Sequence, residues 1–255
     1  MGEVKAVGMK AGKGECEPGA APFGNFANYY RFNPPGERLR LIPAAELAEV
    51  FPGGGVLALD VGCNCGDFSV AMYKHLRDLK QNLAWLSPDG IDLKLLGCDI
   101  DADLIQRATE SNSFPDSISY VTLDVMDPAS REAVFKPYLD TFHRTSFDIC
   151  FCMSVTMWIH LHHGDQGLLD FLTCVSGLCE ALLIEPQPWK CYRSAARRLR
   201  KLGNGKFDHF KTLAIKGDVA QKIQQFLITE CKMELVQCFG STSWDRSLLL
   251  FKKYS

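Results

Sequence analysis

The chain has 255 residues, of which 47% are apolar, 23% charged and 11% aromatic, and its formal net charge is −2. That composition excludes collagen-like, coiled-coil and mostly disordered chains, and a molecule that is a polycation throughout. No run approaches the ~18 consecutive apolar residues that a membrane helix needs, and α/β domains commonly reach roughly 200–250 residues, so one domain is expected.

Residues 1–21 carry charges and glycines where a secretory leader would need an apolar segment. They are expected to be a disordered leader ahead of a single domain over 22–255, in a chain that stays in the cytosol or nucleus. The 11 cysteines fit that compartment, because their number is odd and several lie inside apolar runs (Cys98, Cys150, Cys152, Cys238), where free cysteine behaves as a small hydrophobe. The pairs Cys63/Cys65 and Cys150/Cys152 lack the matched second Cys-x2-4-Cys pair of a zinc site, so no metal is expected.

From residue 56 onward, β-rich runs alternate with amphipathic stretches. The runs are Val56–Asp60, Leu95–Ile100, Ile118–Leu123, Phe147–Met153, Ala181–Glu185, Glu234–Phe239 and Ser247–Phe251. The helical stretches are 67–79, 102–112, 129–142, 165–179, 188–202 and 217–230, with 80–93 read as an inserted loop. Continuous apolar strands separated by helical periods predict a parallel sheet with helices on both faces. Only Gly240–Asp245 separates the last two runs, too short for a helical crossover, so those strands should be antiparallel neighbours. An α/β fold of seven strands ending in an antiparallel hairpin resembles the class I methyltransferases that use S-adenosylmethionine.

The segment Leu59-Asp60-Val61-Gly62-Cys63-Asn64-Cys65-Gly66-Asp67 follows an apolar strand and opens a helix, the context of a glycine loop that cradles a nucleotide. Its middle position is Asn64 rather than the glycine of the dinucleotide fingerprint, and Asp60 stands two residues before Gly62. That form resembles the methyltransferase loop more than the NAD loop. Asp99 ends the next strand, where a carboxylate can accept ribose hydroxyls, and Asp124 ends the third, where such folds place an acid near the adenine.

Two further blocks are more specific. Cys152-Met153-Ser154-Val155-Thr156-Met157-Trp158-Ile159-His160-Leu161, then His163-Gly164-Asp165, follows the fourth strand. Glu185-Pro186-Gln187-Pro188-Trp189-Lys190-Cys191-Tyr192 follows the fifth, and Phe23-Gly24-Asn25-Phe26 with Tyr29-Tyr30 precedes the first. Together they resemble the Bicoid-interacting-type RNA methyltransferases, and from Pro22 to Phe251 the chain is closest to their RNA 5′-monophosphate branch. The resemblance implies S-adenosylmethionine as cofactor and an RNA 5′-phosphate end as substrate, with cytoplasmic histidine tRNA or precursor microRNA as the RNA. It also implies a monomer acting in the cytoplasm. Methylation of the γ-phosphate of a small nuclear RNA, or a catalytically weak RNA-binding module, are the alternatives.

The same resemblance implies cofactor contacts from Arg38, Asn64, Asp99, Ile100, Asp124, Val125 and Met153, which join Asp60 and Gly62 of the loop. A guanidinium at Arg38 could fork onto the cofactor carboxylate, or be one more solvated cation in the run Glu37–Arg40. A terminal monophosphate is already ionised near neutral pH, its second pKa being ~6, so alignment rather than a general base is what the protein must provide. His160 and Gln187 are the candidates for alignment. Trp189 could stack on the terminal base or pack in the core, and Tyr30 could belong to an aromatic lid or a hydrophobic anchor. Lys190, Tyr192, Arg193, Arg197 and Arg200 would meet the RNA. Residues 190–211 hold eight cations against Asp208 alone, a local +7 that leaves −9 for the rest. Lys190, Arg193, Arg197, Arg200 and Lys201 recur at helical spacing on one face, as a phosphate track would.

Overall fold

The computed structural model describes residues 28–51, 55–77, 93–201 and 206–254. The expected leader, Phe23 and Phe26, and nearly all of the 80–93 insertion lie outside the described residues. Three short helices that hydrophobic periodicity does not announce come first: α1 (Tyr29–Phe32), α2 (Pro35–Leu39) and α3 (Ala44–Ala48). Each spans little more than a turn, too short for a periodic signal, and Pro at the N-cap or N1 position starts α2 and α3.

Strands and helices then alternate: β1 (Val56–Val61), α4 (Asp67–Arg77), β2 (Leu93–Asp99), α5 (Ala102–Glu110), β3 (Ile118–Thr122) and α6 (Pro128–Thr141). The second half adds β4 (Phe147–Met153), α7 (Thr156–Leu178), β5 (Cys179–Glu185), α8 (Trp189–Lys201), α9 (Val219–Thr229), β6 (Met233–Ser241) and β7 (Ser247–Lys253). They form one sheet in the order β3-β2-β1-β4-β5-β7-β6. Neighbours from β3 to β5 are parallel, while β7 runs antiparallel to both β5 and β6, as the short connection requires.

The central strands β1 and β4 are buried along their whole length, because helices cover both faces. One core packs α6, α7, α8 and α9 on one face, and another packs α2, α3 and α4 on the opposite face. At the amino ends of the strands, Asp148 accepts a hydrogen bond from the Leu57 amide (2.7 Å) and pairs with Arg144 (2.6 Å), fixing β4 against β1. The strand order reverses between β1 and β4. Open α/β sheets bind ligands at the carboxyl side of such a switch.

The helix expected over 165–179 begins earlier, at Thr156, and breaks at Gly164 (φ 71°, ψ −172°). A side chain there would be strained, and its Cβ would come within 3.1 Å of the His209 ring. Asp165 fastens the break, accepting the amides of Ala214 (2.7 Å) and Ile215 (2.9 Å).

Candidate active site

A cavity of about 320 Å³ opens at the switch, large enough for a small ligand. Seven of the nine expected cofactor residues line it: Gly62, Asn64, Asp99, Ile100, Asp124, Val125 and Met153. Tyr29, Tyr30, Ser154, Val155, Trp158, Ile159, His162 and His163 complete much of the wall.

The loop after β1 turns through three left-handed residues, Gly62 (φ 72°), Asn64 (φ 54°) and Gly66 (φ 79°). A Cβ on Gly62 would meet Val155 Cγ2 at 3.1 Å, and one on Gly66 would strike the Tyr120 hydroxyl. Asp99 holds the loop in place: Oδ2 accepts the Asn64 amide (2.9 Å) and Oδ1 the Asp101 amide (3.1 Å). Each oxygen keeps a lone pair for a ligand hydroxyl, and burial raises the Asp99 pKa. Asp124 Oδ1 accepts the Met126 amide (2.8 Å) and so orients that carboxylate. A carboxylate on the cavity wall at the end of β2, a second after β3 and apolar walls between them fit an adenosine.

Asp60 and Arg38 stand elsewhere than expected. Asp60 is buried beneath the loop, accepts the Ser69 hydroxyl (2.5 Å) and does not reach the cavity. Burial pushes its pKa up to about 7, against the lowering effect of the Ser69 bond. Arg38 is neither solvated nor directed at a cofactor. It is fully buried and forks onto Glu185, with Nε to Oε1 at 3.0 Å and Nη2 to Oε2 at 2.8 Å. Burial alone would lower its pKa, but the Glu185 carboxylate holds it above the ordinary arginine value.

Glu185 is the centre of a buried network. Besides Arg38 it accepts the Ser154 hydroxyl and the Trp244 indole N–H (3.2 Å), and Arg246 Nη1 lies 3.5 Å away. Ser154 also accepts from Arg38 Nη2 (3.1 Å), from Tyr29 (2.7 Å) and from Arg246 Nη1. The Tyr29 hydroxyl accepts from both guanidinia, at 2.7 Å from Arg38 and 3.2 Å from Arg246. Two cations and one carboxylate thus stand behind Tyr29 and Ser154 of the cavity wall and hold their hydroxyls.

The residues expected to align or touch the substrate are placed differently. His160 is fully buried and off the cavity wall, with Nδ1 3.0 Å from the Tyr192 hydroxyl and Nε2 2.8 Å from Asp165. Burial lowers its pKa, against the pull of Asp165. Gln187 is buried too. Its Oε1 accepts the Thr156 hydroxyl and the Met157 amide, both at 3.0 Å, while Nε2 donates to the Ser154 carbonyl. It therefore clamps the start of α7 and, with it, Ser154, which has a left-handed backbone (φ 60°). Tyr192 is buried beside His160, and Trp189 stacks between Tyr192 (5.0 Å) and Phe210 (5.6 Å), the packing option left open by the sequence. Arg193, Arg197 and Arg200 are exposed on α8. Lys190 pairs with Asp245 at 2.7 Å.

Trp244 and Arg246 have no part in the motifs read from the sequence. Their signal is faint: a large aromatic and an arginine in the connection between two final strands, where small turn residues are usual.

The fold is that of the class I methyltransferases. An N-methyltransferase from Bradyrhizobium japonicum, solved with S-adenosyl-L-homocysteine, superposes with a TM-score of 0.55 at 14% identity, covering 91% of this chain and 95% of that one. A family model described as Bicoid-interacting protein 3 matches residues 147–253. A Bos taurus protein named RNA 5′-monophosphate methyltransferase is 56% identical over 240 residues, 92% of this chain and 82% of its own length. A Xenopus laevis protein named pre-miRNA 5′-monophosphate methyltransferase is 56% identical over 244 residues, 92% of this chain and 94% of its own. The chain belongs to the family that these relatives form, the Bicoid-interacting RNA 5′-monophosphate methyltransferases.

Proposed function

We propose that the chain is an S-adenosylmethionine-dependent methyltransferase acting on the 5′-terminal monophosphate of RNA. The observation that carries this reading is that seven residues of the implied cofactor set line one cavity in a chain 56% identical to a relative of that name. When bound, the cofactor supplies an electrophilic methyl group on its sulfonium.

The chain's own residues do the rest. Asp99 and Asp124 would hold the adenosine through ribose hydroxyls and base, and Met153 and Val125 would wall its apolar faces. Gly62 and Asn64 would let the backbone approach the amino-acid part. Arg38 orients Tyr29 and Ser154 from behind. The phosphate needs no base, since it carries about −1.5 to −2 charges at pH 7. The cationic network would keep it ionised and hold it still, and alignment of this kind can be worth ~7–11 kcal/mol in favourable intramolecular models. His160 and Gln187 act as positioning residues in this reading, through Tyr192 and through the Ser154 turn. The exposed face of α8, with Arg193, Arg197 and Arg200, would carry the RNA backbone. Precursor microRNA is the substrate class in the Xenopus relative's name, and histidine tRNA follows from the sequence resemblance. We read 22–255 as the catalytic domain of a monomer working in the cytoplasm; no described helix is long and apolar enough to cross a membrane.

The test is methyl transfer to one RNA carrying a 5′-hydroxyl, monophosphate or triphosphate, with mass analysis of the terminal nucleotide. The monophosphate should react fastest. A faster triphosphate would overturn the end specificity, and a reactive hydroxyl would overturn phosphate methylation itself.

A further inference from the structure

The two arginines behind the cavity use their guanidinium edges differently. Arg38 spends its side-on edge, Nε with Nη2, on Glu185. Every side-chain hydrogen bond that Arg246 makes among the described residues leaves from Nη1, to Tyr29 and Ser154. Its Nε is buried with no acceptor. Leaving a buried donor unpaired is unfavourable, and the side-on edge is the one that matches two oxygens of a carboxylate or phosphate.

The surroundings say which anion suits that edge. Glu185 neutralises one guanidinium of the pair, so the cluster is left with one positive charge beside Tyr29 and Ser154 of the cavity wall. Arg246 sits in the β6–β7 connection, on the far side of Ser154 from the loops after β1, β2 and β3. Its neighbour Asp245 pairs with Lys190, the first cation of the α8 basic face. A nucleic-acid backbone following that face arrives at the hairpin tip.

We infer that Arg246 is the residue that grips the 5′-terminal phosphate: its Nε–Nη2 edge, buried behind the cavity wall here, would turn past Tyr29 and Ser154 to take two phosphate oxygens and leave the third to react. The inference rests on the proposed function and deepens it by naming the specificity-determining cation. A 5′-hydroxyl end offers that edge no pair of anionic oxygens, so discrimination between ends should depend on this one side chain.

The test compares binding of one short RNA hairpin, with and without its 5′-phosphate, to wild type and to Arg246→Lys, both saturated with S-adenosylhomocysteine. Lysine keeps the charge and removes the fork. The wild-type preference for the phosphorylated end should fall at least about tenfold, a loss of roughly 1.4 kcal/mol. Affinity for S-adenosylhomocysteine should change less than about threefold. An undiminished preference in the folded variant overturns the inference. So does an equal fall in S-adenosylhomocysteine affinity, which would assign the fork to the cofactor carboxylate. On the wild-type protein, phosphorus NMR should show the bound phosphate's second pKa below its free value near 6. An unmoved value overturns the inference whether or not the variant folds. A wild type that neither prefers the phosphorylated end nor methylates it would fail the proposed function instead.

Discussion

The two walls of the cavity are built in opposite ways. On one wall, Asp99 and Asp124 each accept the backbone amide two residues on, and Asp99 also accepts the amide of Asn64. Turn chemistry and strand order are enough to place them. The other wall depends on Tyr29, Arg38, Ser154, Glu185 and Arg246, whose hydrogen bonds join residues as much as 217 positions apart. It forms only when α1, α2, β4, β5 and the β6–β7 connection are all docked. The first wall should therefore fail locally when altered, and the second should take the fold with it.

The strongest test of that contrast is Glu185→Gln. It would leave the buried guanidinia of Arg38 and Arg246 facing a neutral amide, and breaking a buried pair in this way typically costs about 3–5 kcal/mol. Urea unfolding should show a loss of that size. A loss below about 1 kcal/mol would mean that the network is not what docks α1 and α2 against the ends of β4 and β5 and the β6–β7 connection. Gly62→Ala on the local wall should cost less, about 1–2 kcal/mol for a left-handed alanine with some crowding against Val155. Calorimetry should nevertheless show a large fall in cofactor affinity. The clash is with Val155, so Gly62→Ala with Val155→Ala should recover part of the affinity.

The same contrast separates what the sequence discloses from what it hides. The seven strands and the antiparallel end follow from apolar runs and one short connection, whereas the order of the strands in the sheet does not. Asp99, Asp124 and the glycine loop stand at strand ends, where local pattern and site coincide. Arg38 reads as solvated or cofactor-bound because its partner, Glu185, lies 147 positions away. His160 and Gln187 read as substrate groups because they sit in distinctive motifs. The structure spends both on internal hydrogen bonds that fix Tyr192 and the Ser154 turn. Arg246 carries no motif at all, and only three-dimensional packing places its guanidinium against Tyr29 and Ser154, behind the cavity wall.

Asp60 gives a subtler comparison, because it belongs to the local loop yet is buried like the network. Its folded pKa of about 7 lies above the unfolded value of about 3.9. The native state therefore binds more protons than the unfolded chain between those limits. The stabilisation is fully present below about pH 4 and is lost as pH rises through 7. Asp60→Asn should remove this part of the pH dependence, so that variant and wild type diverge most above pH 7. Parallel stability curves for the two proteins from pH 5 to 8 would show that Asp60 does not titrate there.

The smallest effect on folding belongs to the face of α8, which touches neither wall. Arg197 and Arg200 are exposed, and their helix buries Tyr192, Ala195, Ala196 and Leu199 on its other side. Arg197→Glu with Arg200→Glu should shift the unfolding midpoint little, since exposed charges seldom contribute more than about 1 kcal/mol. Cofactor affinity should be unchanged. RNA affinity should fall, and its dependence on salt should flatten by roughly 0.7 in slope for each phosphate of a single strand that the variant no longer neutralises. Because that term is indifferent to the chemistry of the RNA end, 5′-phosphate and 5′-hydroxyl RNAs should weaken by the same factor. A variant that lost the preference for the phosphate as well would place the end of the RNA on α8 itself, and the cavity wall behind Tyr29 and Ser154 would no longer account for end recognition.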